Sequence, residues 1–344
     1  MTRPKLLQFS FLPYTSLEKE LKIGDVLFWP FYRKKDRYIK DVPIRNQIEK
    51  FLKQYVEHAK QKKSLEKITM VSYRSPNNLK PLSRKPAKEV KNIVTMLCFC
   101  TLVRNTRWRA FSSDDFQLIH QNFIPGDDGI APSSGSWIQR QTGGLKIDEV
   151  VFITPFHICT GESIDFNEKI LKALEKLQQD EDNSDFYRRI ITALEWVAYA
   201  YTNVDNFNYF SRIVMMSTAF EILLDGFQGK FAFMGKVKNL TCNTLDDTPK
   251  KRATREISYQ GKKAEKSFSY KEWWAYDFYE LRNKIVHGEE INTKDAKNRK
   301  GEFHFQIAML FFEECLKKIL SDKGYYPYDD FRDGIIWAGI YDYI

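Results

Sequence analysis

The sequence predicts an α+β protein of two domains: residues 1–160 form a mixed or mainly β domain and residues 161–344 a helical one. Runs rich in aromatic and β-branched residues, bounded by Pro, Gly or charged clusters, fill the first half and are typical of strands. In the second half, apolar residues recur every three or four positions, which is typical of helices. The 344 residues are 43% hydrophobic and 15% aromatic, enough to bury two cores and too apolar for a disordered chain.

Strands and one helix are predicted in the N-terminal domain. The predicted strands cover residues 6–12, 25–32, 68–73, 94–103 and 150–153. Helical spacing between the second and third strands runs over residues 42–60 and is carried by Ile44, Ile48, Phe51, Leu52 and Tyr55. Cys98 and Cys100 are two positions apart and are expected on one strand face. The five cysteines indicate neither a zinc site nor a disulfide framework, so no metal is expected.

Four helices are predicted in the second half: residues 185–202, residues 207–225, a helix that ends at residue 287, and residues 303–320. In the third of these, the apolar residues recur at intervals of four, three and four and form one stripe. The stripe consists of Trp274, Phe278, Leu281 and Ile285. Gly288 follows directly and predicts the end of the helix.

The end of this helix carries the most informative run in the chain, Arg282-Asn-Lys-Ile-Val-His287. A guanidinium suits phosphate oxygens and an imidazole can move protons near neutral pH, so the run fits phosphodiester chemistry and points towards RNA. Asn283 lies one turn below His287, close enough to touch the ring. Arg282 and His287 are five residues apart, about 140° around a helix, so one helix does not stack them.

An Arg, a polar residue, three more positions and a His, late in a helical domain with this order of helices, resemble the HEPN superfamily. The likeness is to the Apea-like HEPN domains of bacterial antiphage proteins and covers residues 165–322. It implies RNA cleavage without metal or cofactor, at a cleft where two copies meet. By this resemblance Arg282 stabilises the charge on the phosphate and His287 transfers protons as the 2′-hydroxyl attacks. Asn283 orients the ring or holds a phosphate oxygen.

The resemblance also implies a cellular setting. It predicts a homodimer that acts on RNA in antiphage defence or growth arrest, with a phage-derived trigger or an antitoxin as a further partner. Residues 1–160 are then expected to sense the trigger or restrain the active site. Since no apolar window is long enough to span a bilayer and no secretory leader follows Met1, a cytoplasmic protein without membrane partners is expected.

The motif has other interpretations. Arg282 can pair with Glu280 or another acid, and His287 can simply cap its helix. The domain can be a non-catalytic HEPN-like module that binds RNA or protein and dimerises. It can also belong to an enzyme that modifies something other than RNA, with Arg282 holding a nucleotide phosphate.

Glu221 is predicted as a supporting residue because it interrupts the apolar spacing of the helix at residues 207–225. A carboxylate beside a core needs a cationic partner, since an unpaired buried charge is costly. Arg282 is a candidate partner, and an ordinary structural ion pair with a neighbour such as Arg212 is the alternative.

Positive charge is concentrated before the motif helix, in a basic insertion at residues 235–272. Ten Lys or Arg residues face five acids there, an excess of five within a net charge of +9. A Lys-rich loop or frayed helix can lie along a phosphate backbone, although such runs are commonly solvated surface loops. The predicted RNA-binding residues are Lys250, Lys251, Arg252, Arg255, Lys262 and Lys263.

Overall fold

The computed structural model confirms the α+β class, with an N-terminal sheet followed by a helical region. The structure describes residues 6–32, 36, 38–56, 64–65, 67–104, 112–126, 151–153, 163–202, 208–241, 252–259, 262–298, 301, 303–329 and 333. The contacts divide the chain into two compact units, Met1–Phe166 and Asn167–Ile344, where the sequence placed the boundary at residue 160. We call them the N-terminal unit and the helical unit.

The N-terminal unit is built on an antiparallel sheet of strand order β2-β3-β5-β1-β6. Its described elements are β1 (Leu7–Leu12), β2 (Leu21–Ile23), β3 (Val26–Tyr32), α1 (Val42–Leu52), β4 (Tyr55–Val56), β5 (Lys67–Tyr73), α2 (Arg84–Arg104), β6 (Ile119–Phe123) and β7 (Phe152–Ile153). The strands predicted at residues 6–12, 25–32 and 68–73 are confirmed as β1, β3 and β5. The one at 150–153 is represented by β7, which pairs in parallel with β4.

Alternate side chains of β1 explain the core of this unit. Leu7, Phe9 and Phe11 point to one face of the sheet and join the cluster that includes Phe51 and Leu52 of α1. The α1 helix is confirmed but ends at residue 52, because the chain then enters β4.

The strand predicted at residues 94–103 is wrong, because these residues form the second half of α2. Residues 96–103 are all buried, whichever side of the helix they occupy. An unbroken apolar run has no period that separates a buried strand from a buried helix. Cys98 and Cys100 therefore lie about 200° apart around a helix and share no strand face.

The helical unit begins at residue 167. Its described elements are α3 (Glu168–Gln179), α4 (Ser184–Ala200), α5 (Tyr209–Leu223), α6 (Gly229–Thr241), β8 (Arg252–Tyr259), β9 (Lys262–Ser269), α7 (Tyr270–His287) and α8 (His304–Asp322). All four helices predicted in this half are confirmed, as α4, α5, α7 and α8. No helix in the described part of the chain has the length and apolarity needed to cross a membrane.

Aromatic rings form the centre of the helical unit. Phe220 of α5 lies 5.4 Å from the ring of Phe233 on α6 and 5.4 Å from Phe312 on α8. Trp274 of α7 stacks on Phe311 of α8 at 4.0 Å, with the two planes 4° apart. These contacts fix how α7 is rotated about its axis, and so fix which of its side chains reach solvent.

Where the structure describes the basic insertion, it is neither a loop nor a frayed helix. Residues 235–241 complete α6, and residues 252–259 and 262–269 pair as the antiparallel hairpin β8–β9. The register places Arg255 opposite Lys266 and Glu256 opposite Glu265, and like charges that face each other weaken a hairpin. These two strands were hard to predict because several of the side chains that face each other across them carry like charges.

Contacts with α7 support the hairpin from one side. The Trp273 indole donates a hydrogen bond of 2.7 Å to the Ala253 carbonyl, and the ring packs against Phe268. Ile257 on the same strand as Ala253 is buried. The hairpin therefore depends on its tertiary contacts with α7.

The start of α7 is held by a capping box. The Ser269 hydroxyl accepts from the Glu272 amide, and the Glu272 carboxylate accepts from the Ser269 amide at 2.8 Å. Burial would raise the pKa of Glu272, but the hydrogen bonds from Ser269 and the ammonium of Lys238 lower it below its usual value.

Replacing Ser269 by Ala should lower the free energy of unfolding by about 1 kcal/mol, because it removes one half of this cap. Urea unfolding followed by circular dichroism measures the change. Ser267→Ala is the matched control, since Ser267 is exposed on β9. Equal stability of the two variants would show that the cap contributes nothing.

Candidate active site

Three faces of α7 are distinguished by what their side chains meet. Spacing at about 100° per residue sorts the side chains of its last turns. The core face carries Trp274, Phe278 and Leu281, the second face Asp277, Glu280 and Lys284, and the third face Tyr279, Arg282, Asn283 and Val286. His287 follows at the edge of the third face, which we call the motif face.

Arg282 is half-buried and its charge is not neutralised by any acid in the described part of the chain. Its Nη1 donates a hydrogen bond of 3.1 Å to the Asn283 side-chain oxygen, and the guanidinium lies 5.8 Å from the centre of the Tyr279 ring. The alternative that Arg282 pairs with Glu280 is not observed. The carboxylate of Glu280 binds the Lys230 ammonium instead, at 2.7 Å.

His287 is the last residue of α7 and is exposed. The helix ends without its imidazole: Gly288 adopts φ 69°, and the amides of Gly288 and Glu289 reach the carbonyls of Ile285 and Lys284. Backbone amides thus reach two of the last carbonyls, and no hydrogen bond from the imidazole to this end of the helix occurs among the described residues. The ring is left to solvent.

Within one chain, the side chains of Arg282 and His287 do not come together. Arg282 and His287 extend from α7 about 140° apart, and no hydrogen bond links them among the described residues. The side-chain oxygen of Asn283 accepts from Arg282, and its amino group remains to orient the imidazole or to hold phosphate. Val286, half-exposed at 50%, lies on the same face.

Glu221 does not occupy the supporting position expected for it. Its side chain is exposed, and within the described residues it makes no ion pair with Arg282. Arg212, the alternative partner, donates instead to the Thr202 carbonyl at 2.9 Å. The expected ion pair is absent from this part of the chain because water can solvate the carboxylate where it lies.

Three of the six predicted RNA-binding side chains lie within the described residues, and each already has a contact. Arg252 donates to the Ser267 carbonyl at 2.7 Å, and Lys263 pairs with Glu256 at 2.8 Å. Arg255 donates to both oxygens of Asp277 and lies 4.2 Å over the Trp273 ring. Lys250, Lys251 and the side chain of Lys262 lie outside the described residues. Of the three described side chains, Arg255 and Lys263 are therefore paired with acids, whereas Arg252 donates to a neutral carbonyl and keeps its charge.

Arg255→Ala should lower the free energy of unfolding by about 1–3 kcal/mol, because it leaves Asp277 without its charge-assisted partner. Lys263→Ala is the matched control: it breaks an ion pair that is exposed on both sides and should change stability far less. Chemical denaturation of both variants measures the difference. A loss no larger for Arg255→Ala than for Lys263→Ala would contradict the structural role of Arg255.

The second face of α7 lines a cleft that the sequence did not reveal. The cleft has a volume of about 230 Å³. It is lined by Asp277, Glu280, Leu281, Lys284, Lys294, Asp295, Lys297, Asn298 and His304. The spacing of Asp277, Glu280 and Lys284 was a usable sequence signal for one polar helix face, whereas His304 stood alone. The described residues include no group of three or more His, Cys, Asp or Glu side chains placed to hold a metal ion.

Comparison with known proteins gives no match to a family model, to a curated protein or to a solved structure. The functional argument therefore depends on the residues of α7 and their geometry.

Proposed function

We propose that this protein is a metal-independent endoribonuclease that uses Arg282, Asn283 and His287, assembled from two copies of the chain. The main support for the proposal is the pair of side chains that the motif face exposes. This face presents a guanidinium without an acidic partner in the described chain and, one residue past Val286, an exposed imidazole. A cation free to bind phosphate and a ring free to move protons are the groups this reaction needs.

The chemistry follows from the RNA substrate. The 2′-hydroxyl loses its proton and attacks the adjacent phosphorus, the bond to the 5′-oxygen breaks, and that oxygen leaves with a proton. His287 transfers these protons, and Arg282 stabilises the extra negative charge on the phosphorane. The products are a 2′,3′-cyclic phosphate and a 5′-hydroxyl.

Two copies of the chain would bring together Arg282 and His287, which one α7 helix holds apart. If two α7 helices met antiparallel about a two-fold axis between Lys284 and Ile285, Arg282 of one copy would lie level with His287 of the other. The half-exposed Val286 supplies apolar surface for such a contact. A homodimer with a shared site is therefore part of the proposal.

The cellular role that we propose is growth arrest or antiphage defence in the cytoplasm. The N-terminal unit would sense a phage-derived trigger or restrain the site, and an antitoxin is the alternative regulator. This setting is supported by the sequence resemblance of residues 165–322 to HEPN domains, which depends on the Arg282–His287 motif and the order of the helices.

Paired substrates test the reaction most simply. In EDTA, the protein should cut an RNA oligonucleotide and leave products that end in a 2′,3′-cyclic phosphate. A matched oligonucleotide with a single 2′-deoxy sugar at the cut position should not be cut there. Equal cleavage of the deoxy substrate, or activity that requires added Mg²⁺, would refute the mechanism.

A second candidate function is a non-catalytic module that binds RNA or protein through the same face. The separation of Arg282 from His287 within one chain and the exposed Val286 favour it. Binding of RNA in a gel-shift assay without cleavage of any substrate would select this alternative.

A further inference from the structure

Three aromatic rings of α7 face cations in the described part of the chain. The rings are those of Trp273, Tyr276 and Tyr279, and the cations, in the same order, are Arg255, Lys230 and Arg282. The charged group lies 4.2, 4.6 and 5.8 Å from the ring centre in the three pairs. The face of an aromatic ring attracts a cation at these distances although the ring has no net charge.

The three cations differ in whether an acid also binds them. The first two are paired with carboxylates of α7, at 2.8 and 2.7 Å. Arg282 has no acidic partner within the described residues and is held by the Tyr279 ring and the side-chain oxygen of Asn283. A carboxylate would hold the guanidinium, but it would also neutralise the charge and occupy donors that suit a phosphate. A neutral ring and a neutral amide hold Arg282 and leave its charge in place.

The Tyr279 ring is itself fixed by the core of the helical unit. Its centre lies 5.8 Å from the ring of Phe227 and 6.0 Å from that of Phe233. Phe233 is buried and packs against Phe220 at the aromatic centre of the unit. Tyr279 is half-buried, so its ring meets the core as well as the motif face. The core therefore fixes the ring, and the ring limits the positions open to Arg282.

Placement of Arg282 in advance matters for the proposed reaction. A long side chain that moves freely loses conformational entropy when it binds a phosphate. Donors that are already in place when charge develops in the transition state avoid that loss.

We propose that Tyr279 is a positioning residue for RNA cleavage, whose ring holds the Arg282 guanidinium on the motif face without neutralising it. The inference rests on the proposed function of Arg282. Because the contact is made by the ring, phenylalanine should replace Tyr279 and an aliphatic residue should not.

Single-turnover cleavage of a labelled RNA tests this role. Tyr279→Phe keeps the ring and should cut RNA within about a factor of two of the wild-type rate, whereas Tyr279→Leu should be slower by about three- to tenfold. In an Arg282→Ala background, Tyr279→Leu should cause no further loss, because the ring then has no cation to hold.

Tyr276→Leu is the matched control. Tyr276 is a second half-buried tyrosine of α7 and also packs against two aromatic rings, those of Phe231 and Trp273. Its ring faces Lys230 and not Arg282. This variant loses comparable packing and should leave cleavage unchanged. Urea unfolding of both leucine variants shows whether each is folded under the assay conditions.

NMR of the protein without RNA tests the contact itself. In a chain labelled with nitrogen-15 arginine, the Nε–Hε signal of Arg282 is the one that disappears in Arg282→Ala. The field of a nearby ring displaces this signal. Tyr279→Leu should therefore move it towards the position of an exposed arginine such as Arg188, and Tyr279→Phe and Tyr276→Leu should leave it in place.

Equal losses of cleavage in Tyr279→Phe and Tyr279→Leu would assign the role to the hydroxyl and overturn the inference. So would an Arg282 signal that Tyr279→Leu does not move. If the wild-type chain cuts no RNA but Tyr279→Leu moves the signal, the proposed function is refuted and the hold of Tyr279 on Arg282 is supported.

Discussion

Replacing Arg282 or His287 by Ala is expected to slow RNA cleavage by about 10² to 10⁴-fold, with little change in stability. Loss of general acid–base catalysis typically costs 10² to 10⁴, and loss of one donor to a developing oxyanion costs about 10² to 10³. His287 is exposed and Arg282 makes only one side-chain hydrogen bond within the described residues, so the fold should tolerate both changes. Single-turnover cleavage of a labelled RNA measures the rates.

Matched variants separate chemistry from charge. Arg188→Ala removes an exposed arginine from α4 and should leave cleavage unchanged. His287→Gln keeps a hydrogen-bonding side chain that cannot titrate, so it should be as slow as His287→Ala. Cleavage at the wild-type rate in either alanine variant would remove that residue from the site.

Replacing Lys317 by Met is expected to lower the free energy of unfolding by about 3–5 kcal/mol at pH 8, the loss typical of a buried charge pair that loses one partner. The ammonium of Lys317, 1% exposed, lies 2.7 Å from Glu313 and 3.3 Å from Asp333. Burial would lower the pKa of Lys317, but Glu313, Asp333 and Glu314 together raise it. The substitution leaves these acids buried without their cation.

The dependence of this loss on pH identifies its cause. Burial raises the pKa of Glu313, and Lys317 opposes the rise. Without Lys317 the folded-state pKa of Glu313 should lie still further above its unfolded value. Stability of the Lys317→Met variant should therefore be greatest in acid and fall as the pH rises through that folded-state pKa.

A double variant provides the control. Adding Glu313→Gln to Lys317→Met should restore part of the lost stability at pH 8 and reduce its dependence on pH. Urea unfolding of the single and double variants at pH 5 and pH 8 measures both effects. An equal loss at both pH values in the single variant would indicate lost packing and not an orphaned carboxylate.

The spacing of apolar and polar residues decided which helices and strands the sequence could predict. Helices α4, α5, α7 and α8 were predictable because polar positions interrupt their apolar residues at helical spacing. The buried half of α2 has no such interruption. The β8–β9 hairpin has its stabilising contacts on α7, through Trp273 and Arg255, and such contacts are invisible to local spacing.

For the candidate site, helix geometry was more reliable than charge. Helical periodicity predicts that Arg282 and His287 lie about 140° apart, and Gly288 predicts the end of the helix. In the structure both residues lie on α7, and the helix ends at Gly288. The role of Glu221 was inferred from a charge that interrupts an apolar spacing and the role of Arg255 from a local excess of positive charge, and neither observation identifies the partner of the charge. His304 was unpredictable because only tertiary folding brings α7 and the start of α8 to one cleft.

Mixing two inactive variants tests the central claim most directly. Arg282→Ala and His287→Ala proteins are unfolded together, refolded as a mixture and assayed for RNA cleavage in EDTA. Mixed dimers contain a site with Arg282 from one chain and His287 from the other, so we predict that the mixture recovers a substantial part of the wild-type rate. If the mixture is as inactive as each variant alone while refolded wild type cleaves RNA, the shared site is contradicted.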